Sequence, residues 1–454
     1  MNKKIIIPLV ICFFILFTSY AQQNENKPEV VQNFMDMGFG MFIHWSMDSQ
    51  LGMVISHSMA GASDKYLDRY INELPKTFNP KKFDPHNWAL LAKLAGMKYV
   101  VFTAKHHSGF CMFDTGTTTF NIMNTPFERD ITKEVIEAFR KEGLAIGLYF
   151  SPEDFHYLYK ANLPVGRLQH PMHYPENNPG LMELDKAQLK ELLSNYGKID
   201  MIFFDGPANG LKELAWELQP DIMVTRGEIE TPEQEMPNKP LPGPWEACYT
   251  MGTDWQYKPT NDPHKSGTEI INMLIEIRAK GGNFLLNVGP KPDGEIQIEQ
   301  ENLLREIGLW NFINSEAIYG TRPWNIIKED NIWYTASPEN KTVYAFITRT
   351  NWQWGERDTF VLSKVKGNDE TIVSILGYNS ELVEYRQDFD ASIYWEQTST
   401  GLLISAVNGH RLYTINKWPN PVVLKIENAT QVKEEIEEVI LVSPQKQNKV
   451  EGAK

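Results

Sequence analysis

At 454 residues the chain exceeds one ordinary hydrophobic core, so two domains are expected, and 42% hydrophobic with 22% charged residues is a globular composition. A formal net charge of −14, with no Lys/Arg stripe, argues against a nucleic-acid partner. The 12 Trp, 18 Tyr and 23 Phe supply aromatic faces that suit large cores and sugar rings alike.

Residues 1–21 have the pattern of an export signal: Lys3 and Lys4, an apolar run over 5–17, then Ser19-Tyr20-Ala21 as a small-residue cleavage site. The run is too short to cross a membrane and no later segment approaches that length, so an exported, periplasmic or secreted protein without a membrane span is expected. Leu9-Val10-Ile11, ahead of Cys12, lack the small residue of a lipoprotein site. Cys111 and Cys248 remain after cleavage; buried free thiols are expected, with a disulfide as the alternative that export permits.

Seven short runs follow, at 39–44, 99–104, 145–151, 199–205, 222–226, 245–250 and 284–288. They are almost continuously apolar, as strands buried on both faces are. Helical patterns lie between them. Leu181, Leu184, Gln188, Leu189, Leu192 and Leu193 share a face that Gly197 terminates, and 268–280 and 298–314 repeat the pattern. The alternation predicts a (β/α)8-like TIM barrel over 30–322, with one strand missed or lost. A doubly wound open sheet is the alternative, but no glycine-rich turn follows the first strand. After Pro323-Trp324 the runs become short and β-rich, at 332–335, 343–348, 360–362, 372–375, 402–405, 411–415 and 422–426. They predict a C-terminal antiparallel β-sandwich over 325–430. Residues 431–454 read as a charged tail, and no internal repeat is present.

In a parallel barrel the reactive groups stand at the C-terminal ends of strands. Those ends carry His44-Trp45, Lys105-His106-His107, Asp205-Gly206 and Arg226. Two chemistries use such a set. Metal-assisted hydrolysis would recruit His44, His106, His107 and Asp205. Against it, adjacent histidines of a strand point to opposite faces, and the paired-His helix of zinc proteases is absent. Glycoside hydrolysis needs one ionised carboxylate and one proton donor. Asp205 suits the first role, with Gly206 leaving room for close approach. The donor has to come from a later loop, where Glu228, Glu230, Glu233, Glu235 and Glu246 are available.

Several segments then resemble glycoside hydrolase family 29, the α-L-fucosidases. Gly38-Phe39-Gly40-Met41-Phe42-Ile43-His44-Trp45 is similar to that family's opening strand. YVVFTAKHHSGF (99–110) resembles its double-histidine strand, IDMIFFDG (199–206) its nucleophile strand, and GGNFLLNVGPKPDG (281–294) with Ala317-Ile318-Tyr319-Gly320 its closing segments. The match runs in order from about 33 to 325, and a C-terminal sandwich is what the family usually carries. The resemblance implies a retaining exo-α-L-fucosidase acting on fucosylated glycans through a fucosyl-enzyme intermediate, with neither metal nor cofactor. It makes Asp205 the nucleophile and Glu233 the acid/base, with Glu246 the alternative. His44, His106 and His107 would bond fucose hydroxyls, Arg226 would stand near the sugar, and Tyr149 (or its neighbour Phe150), Phe203 and Trp255 would line the pocket.

The chain also departs from the family. Ser108 follows the double histidine where Asp is usual, and Ser46 follows His44-Trp45 where Gly is usual. The Glu-Trp of the loop after the first strand is replaced by Ala62-Ser63-Asp64-Lys65-Tyr66, which leaves Asp64 to take the glutamate's place. These changes admit a different α-L-glycoside, such as an α-L-galactoside, or a fucose-binding protein impaired in catalysis, as alternatives.

Overall fold

The structure, a computed structural model, describes residues 23, 25–349, 351–384, 386–410 and 419–432. The export pattern, the run at 411–415 and residues 433–454 of the charged tail lie outside the described residues. The chain forms two compact units, Met1–Arg322 and Pro323–Lys454.

In the first unit the seven apolar runs become strands β1 (Phe39–Ile43), β2 (Tyr99–Lys105), β3 (Ala145–Phe150), β4 (Met201–Phe204), β5 (Met223–Val224), β6 (Glu246–Thr250) and β7 (Asn283–Val288). They form one parallel sheet in the order β5-β4-β3-β2-β1-β7-β6. Every residue of β1, β2, β4, β6 and β7 is buried, which is why the runs lack an alternating pattern. Between them run the helices Pro85–Leu94, Ile131–Lys141, Pro179–Asn195 and Gly267–Ala279, and Ile298–Asn314 follows β7. Asp84, Asp130 and Asn178 cap the first three through side-chain oxygens, and Ser266 with Glu269 forms a capping box on the fourth. These stops fix where each helix begins, and so where each preceding loop can reach over the strand ends. No helix among the described residues is long and apolar enough to cross a membrane.

Between β5 and β6 no ladder forms among the described residues. The eighth place is taken by the irregular stretch 230–234, which lies parallel to β6: Glu246 N donates to Glu230 O (3.1 Å), Cys248 N to Pro232 O (3.0 Å) and Gln234 N to Cys248 O (3.0 Å). Pro232 has no N–H to give, and Gln234 has φ 53°. Neither is compatible with an ordinary central strand, and no apolar run announces one.

The second unit has a five-stranded sheet in the order β13-β16-β10-β9-β8 and a three-stranded sheet β11-β15-β14. Here β8 is Arg322–Glu329, β9 Ile332–Ala336, β10 Thr342–Ile347, β11 Arg357–Leu362, β12 Val365–Lys366, β13 Ile372–Ile375, β14 Tyr394–Thr398, β15 Gly401–Val407, β16 Val422–Glu427 and β17 Thr430–Gln431. Strands β12 and β17 pair separately. Tyr334, Val343, Ala345, Leu424 and Ile426 of one sheet share a core with Phe360, Leu362, Leu402 and Ile404 of the other. Two antiparallel sheets over one core are the predicted sandwich.

Candidate active site

Phe42, Tyr149 and Phe203 project into the barrel from β1, β3 and β4, with ring centroids 5.1–5.9 Å apart. They form the floor of a hollow at the C-terminal ends of the strands. Around it stand His44, His106, Asp205, Arg226, Glu233 and Trp255.

Asp205 directly follows β4. Its Oδ2 accepts from Tyr149 OH (2.6 Å) and lies 3.3 Å from His107 Nε2; its Oδ1 accepts from Arg226 Nη1 (3.1 Å), with Arg167 Nη2 at 3.8 Å. Burial alone would raise its pKa. The donors His107, Arg226 and Tyr149 outweigh burial and hold the carboxyl well below its usual range. The result is an ionised carboxylate in a nearly dry place, as a nucleophile requires.

Arg226, just past β5, is held by its own loop: Nε donates to Thr231 Oγ1 (2.9 Å) and Nη2 to Thr231 O (3.2 Å). Its guanidinium lies over the Phe203 ring, 4.6 Å from the centroid. From Nη1 it donates both to Asp205 and, at 2.9 Å, to Glu233 Oε2. Two oxygens bonded to one nitrogen at these distances are at most about 6 Å apart, a separation that includes the 5–5.5 Å of retaining glycosidases and stays below the 6.5 Å at which inverting pairs begin. Glu233 is 43% exposed, at the mouth of the hollow, and the pairing of 230–234 with β6 sets its position.

The two acid candidates therefore separate. Glu246 is the first residue of β6, at the closed end of the barrel rather than at a strand end facing the hollow. It is fully buried and accepts from Tyr99 OH at 2.5 Å, Tyr99 being the first residue of β2. Burial, partly offset by that bond, pushes its pKa up to about 7. Glu246 is a core carboxyl that ties the bottoms of two strands together.

His44 follows β1. Asn287 donates from Nδ2 to Trp255 O (2.7 Å), so its Oδ1 must accept from His44 Nδ1 (2.7 Å). Burial keeps the ring neutral, with a pKa lowered to about 3. The remaining nitrogen is an acceptor for a hydroxyl donor. His106 bonds Ser56 Oγ through Nδ1 (2.9 Å) and stacks flat on Tyr149, centroids 5.1 Å apart. His107 bonds Ser151 Oγ (2.6 Å). Trp255 lies 4.9 Å from the His44 ring.

Four expectations need correction. β2 ends at Lys105, so His106 and His107 lie beyond the pleat and a turn aims both rings the same way, 4.2 Å apart. The argument from opposite faces fails, and His106, His107 and Asp205 offer ligand atoms within 4.8 Å of one another. What weighs against a cation there is charge: two guanidinium groups already face the same carboxylate. Lys105 points away from the hollow and is buried in an ion pair with Asp185 (2.8 Å) of the helix Pro179–Asn195. Phe150 lies beneath Lys105, 4.3 Å from its ammonium, which leaves the pocket position to Tyr149. Asp64 is an exposed residue at the start of the helix Asp64–Asn72 and belongs to a different depression, with Leu67 and Tyr159. The loop after β1 instead brings Ile55 and His57 into the hollow. It does so through a left-handed turn at Ser56 (φ 62°), whose N–H is held by the buried Asp48 (2.6 Å).

His57 and Arg167 are lining residues that the sequence did not reveal. Both sit in irregular loops, and no periodicity or apolar run marks either. Cys111 and Cys248 are free and buried, as expected.

Comparison with known proteins gives a consistent result. A family model described as α-L-fucosidase matches residues 17–316, and one described as the α-L-fucosidase C-terminal domain matches 325–407. The tissue α-L-fucosidase of Mus musculus is 30% identical over 413 residues, 81% of this chain and 87% of that protein. The α-L-fucosidase of Dictyostelium discoideum is 28% identical over 418 residues, covering 82% and 87%. Among solved structures, α-L-fucosidase isoenzyme 1 from Paenibacillus thiaminolyticus superposes with a TM-score of 0.71 at 28% identity, covering 88% of this chain and 98% of that one.

Proposed function

The chain belongs to the α-L-fucosidase family, glycoside hydrolase family 29, and on that premise we propose that it removes terminal α-L-fucose with retention, Asp205 acting as nucleophile and Glu233 as acid/base. The observation that carries the assignment is the shared donor: Arg226 Nη1 touches both carboxylates and keeps their facing oxygens within about 6 Å, which accommodates the retaining separation.

Asp205 attacks the anomeric carbon and forms the C1–O bond while the C1–O bond to the glycan breaks and Glu233 gives its proton to the departing oxygen. Water then attacks the same carbon, Glu233 takes its proton, and the Asp205 ester bond breaks. Tyr149 and Arg226 hold the two oxygens of Asp205 so that one direction of approach is open. His44 and His106 offer ring nitrogens to the sugar hydroxyls, whereas His107 is buried behind them with Nε2 against Asp205, and Phe42, Phe203 and Trp255 supply apolar ring surface for the C6 methyl. A fucosylated glycan is the substrate, and the small hollow takes its terminal residue.

Proton NMR of the first-formed sugar tests this reading. α-L-Fucose before mutarotation is expected; the β anomer would overturn the retaining assignment. Export is part of the same proposal, supported by the basic, apolar and small-residue order of 1–21. A purified mature protein should begin near Gln22, and an intact Met1 would overturn it.

A further inference from the structure

One buried carboxylate has no part in the chemistry above. Glu153 lies just past β3, is completely buried, and has no hydrogen-bond partner for Oε1 among the described residues. Its Oε2 is 3.4 Å from Arg167 Nε and 3.9 Å from His107 Nδ1. The opposite edges of those two groups face the nucleophile: Arg167 Nη2 is 3.8 Å from Asp205 Oδ1, and His107 Nε2 is 3.3 Å from Asp205 Oδ2. Asp205, His107, Glu153 and Arg167 thus form a ring in which the two carboxylates share one guanidinium, while His107, whose Nδ1 is hydrogen-bonded to Ser151 Oγ (2.6 Å), meets Glu153 by proximity alone. The His57 ring lies parallel to His107, centroids 6.0 Å apart, and flanks that side. A buried carboxylate short of partners is unfavourable for folding, and such groups concentrate where the chemistry needs them.

The need arises when Asp205 becomes an ester. Its charge disappears, and both guanidinium groups beside it lose a counter-ion together. Arg226 still has Glu233. For Arg167, Glu153 is the remaining carboxylate in the ring. In the free enzyme the same carboxylate divides Arg167 between two partners and prevents it from settling on Asp205, where a second full ion pair would make the nucleophile weaker.

Resting on the assignment of Asp205 as nucleophile, we infer that Glu153 is a positioning residue, which holds Arg167 in place beside Asp205 and His107 through formation and hydrolysis of the fucosyl ester. It touches no substrate. Its effect reaches the anomeric carbon through Arg167.

The test is a double-mutant cycle on kcat/KM for an aryl α-L-fucoside, which reports ester formation. Glu153→Gln keeps the shape and removes the charge. It should lower kcat/KM about tenfold or more, the scale of one charge-assisted contact, leave the inhibition constant of free L-fucose within about twofold, and leave the thermal midpoint unchanged or raised. In an Arg167→Met background the same substitution should lower kcat/KM by less than about threefold, since its partner is gone. A purely structural anchor predicts the reverse: fucose binding and thermal midpoint fall together, and the loss is the same in both backgrounds. Either that pattern or an unchanged kcat/KM in Glu153→Gln overturns the inference. Arg167 is 37% exposed, so Arg167→Lys gives a second handle free of folding risk. A single ammonium cannot bridge both carboxylates, and wild-type kcat/KM in that variant also overturns the inference. Labelling with a 2-fluoro-fucosyl donor separates the two levels: a label on Asp205 with an additive cycle rejects Glu153 alone, and a label elsewhere rejects the nucleophile.

Discussion

Replacing Glu233 by Ala separates the proton-transfer step from folding, and the structure sets the size of each effect. The side chain is 43% exposed and its ion pair is with Arg226 at 2.9 Å. An exposed pair contributes about 0–1 kcal/mol, so the thermal midpoint should move by no more than about 4 °C. The chemical effect depends on the leaving group. A sugar hydroxyl needs the proton, so kcat/KM on a fucosyl disaccharide should fall by the full contribution of a general acid, about 10²–10⁴-fold. A dinitrophenolate leaves without help, so kcat/KM on that substrate should fall by less than about tenfold. Its turnover then waits on hydrolysis of the ester, for which the base is missing. Azide needs no base and should restore turnover, releasing fucosyl azide of retained configuration. The assay is steady-state kinetics on both substrates with and without azide, with the product identified by NMR. Equal losses on the two substrates, or azide rescue of Glu246→Gln instead, would refute the reasoning.

Further outcomes follow from the same geometry. Asp205→Asn should lose at least about 10³-fold in rate on any α-L-fucoside and should take no covalent label from a 2-fluoro-fucosyl donor; surviving hydrolysis would remove Asp205 from its role. Glu246 has a folded pKa of about 7 against 4.5 unfolded, so its contribution to stability is complete below about pH 4.5 and is lost as pH rises through 7. Urea unfolding at the two ends of that window should show Glu246→Gln gaining about 3 kcal/mol on the wild type as pH rises, and parallel curves would contradict the buried placement. The rings of Phe42, Phe203 and Trp255 suit a methyl group better than a hydroxymethyl group. An aryl α-L-galactoside should therefore be hydrolysed about 10–100-fold less efficiently than the fucoside, the scale of one unpaired buried hydroxyl. Equal kcat/KM values would mean that those rings do not hold the C6 position.

What the sequence revealed and what it hid have distinct physical reasons. Strands buried on both faces are apolar without interruption, so β1 to β7 were visible as runs. A parallel barrel presents its strand ends to one side, so His44, His106, Asp205 and Arg226 could be picked out by following each run to its end. The pleat argument about His106 and His107 failed because it extended a two-residue period past Lys105, where the strand stops. Lys105 and Asp185 are both charged and both buried; polarity placed neither in the core, since each depends on a partner eighty positions away. His57, Glu153 and Arg167 were hidden for a related reason. Loop conformation carries no period, and these side chains acquire a role only after folding brings three separate loops to one point. Glu246 opens the run 245–250, so it stands at the base of β6 and not in the loop that reaches the mouth of the barrel.

The stretch 230–234 has a consequence for how this scaffold accepts change. Proton donor and wall segment are the same piece of chain, fastened to β6 by three main-chain bonds that end at Gln234. Beyond it, Glu235, Pro237, Leu241, Pro242 and Pro244 line a surface depression together with 226–232, and none of the three bonds involves those five residues. Substitutions at those five positions can therefore reshape the depression while the bonds that keep the proton donor in register stay intact.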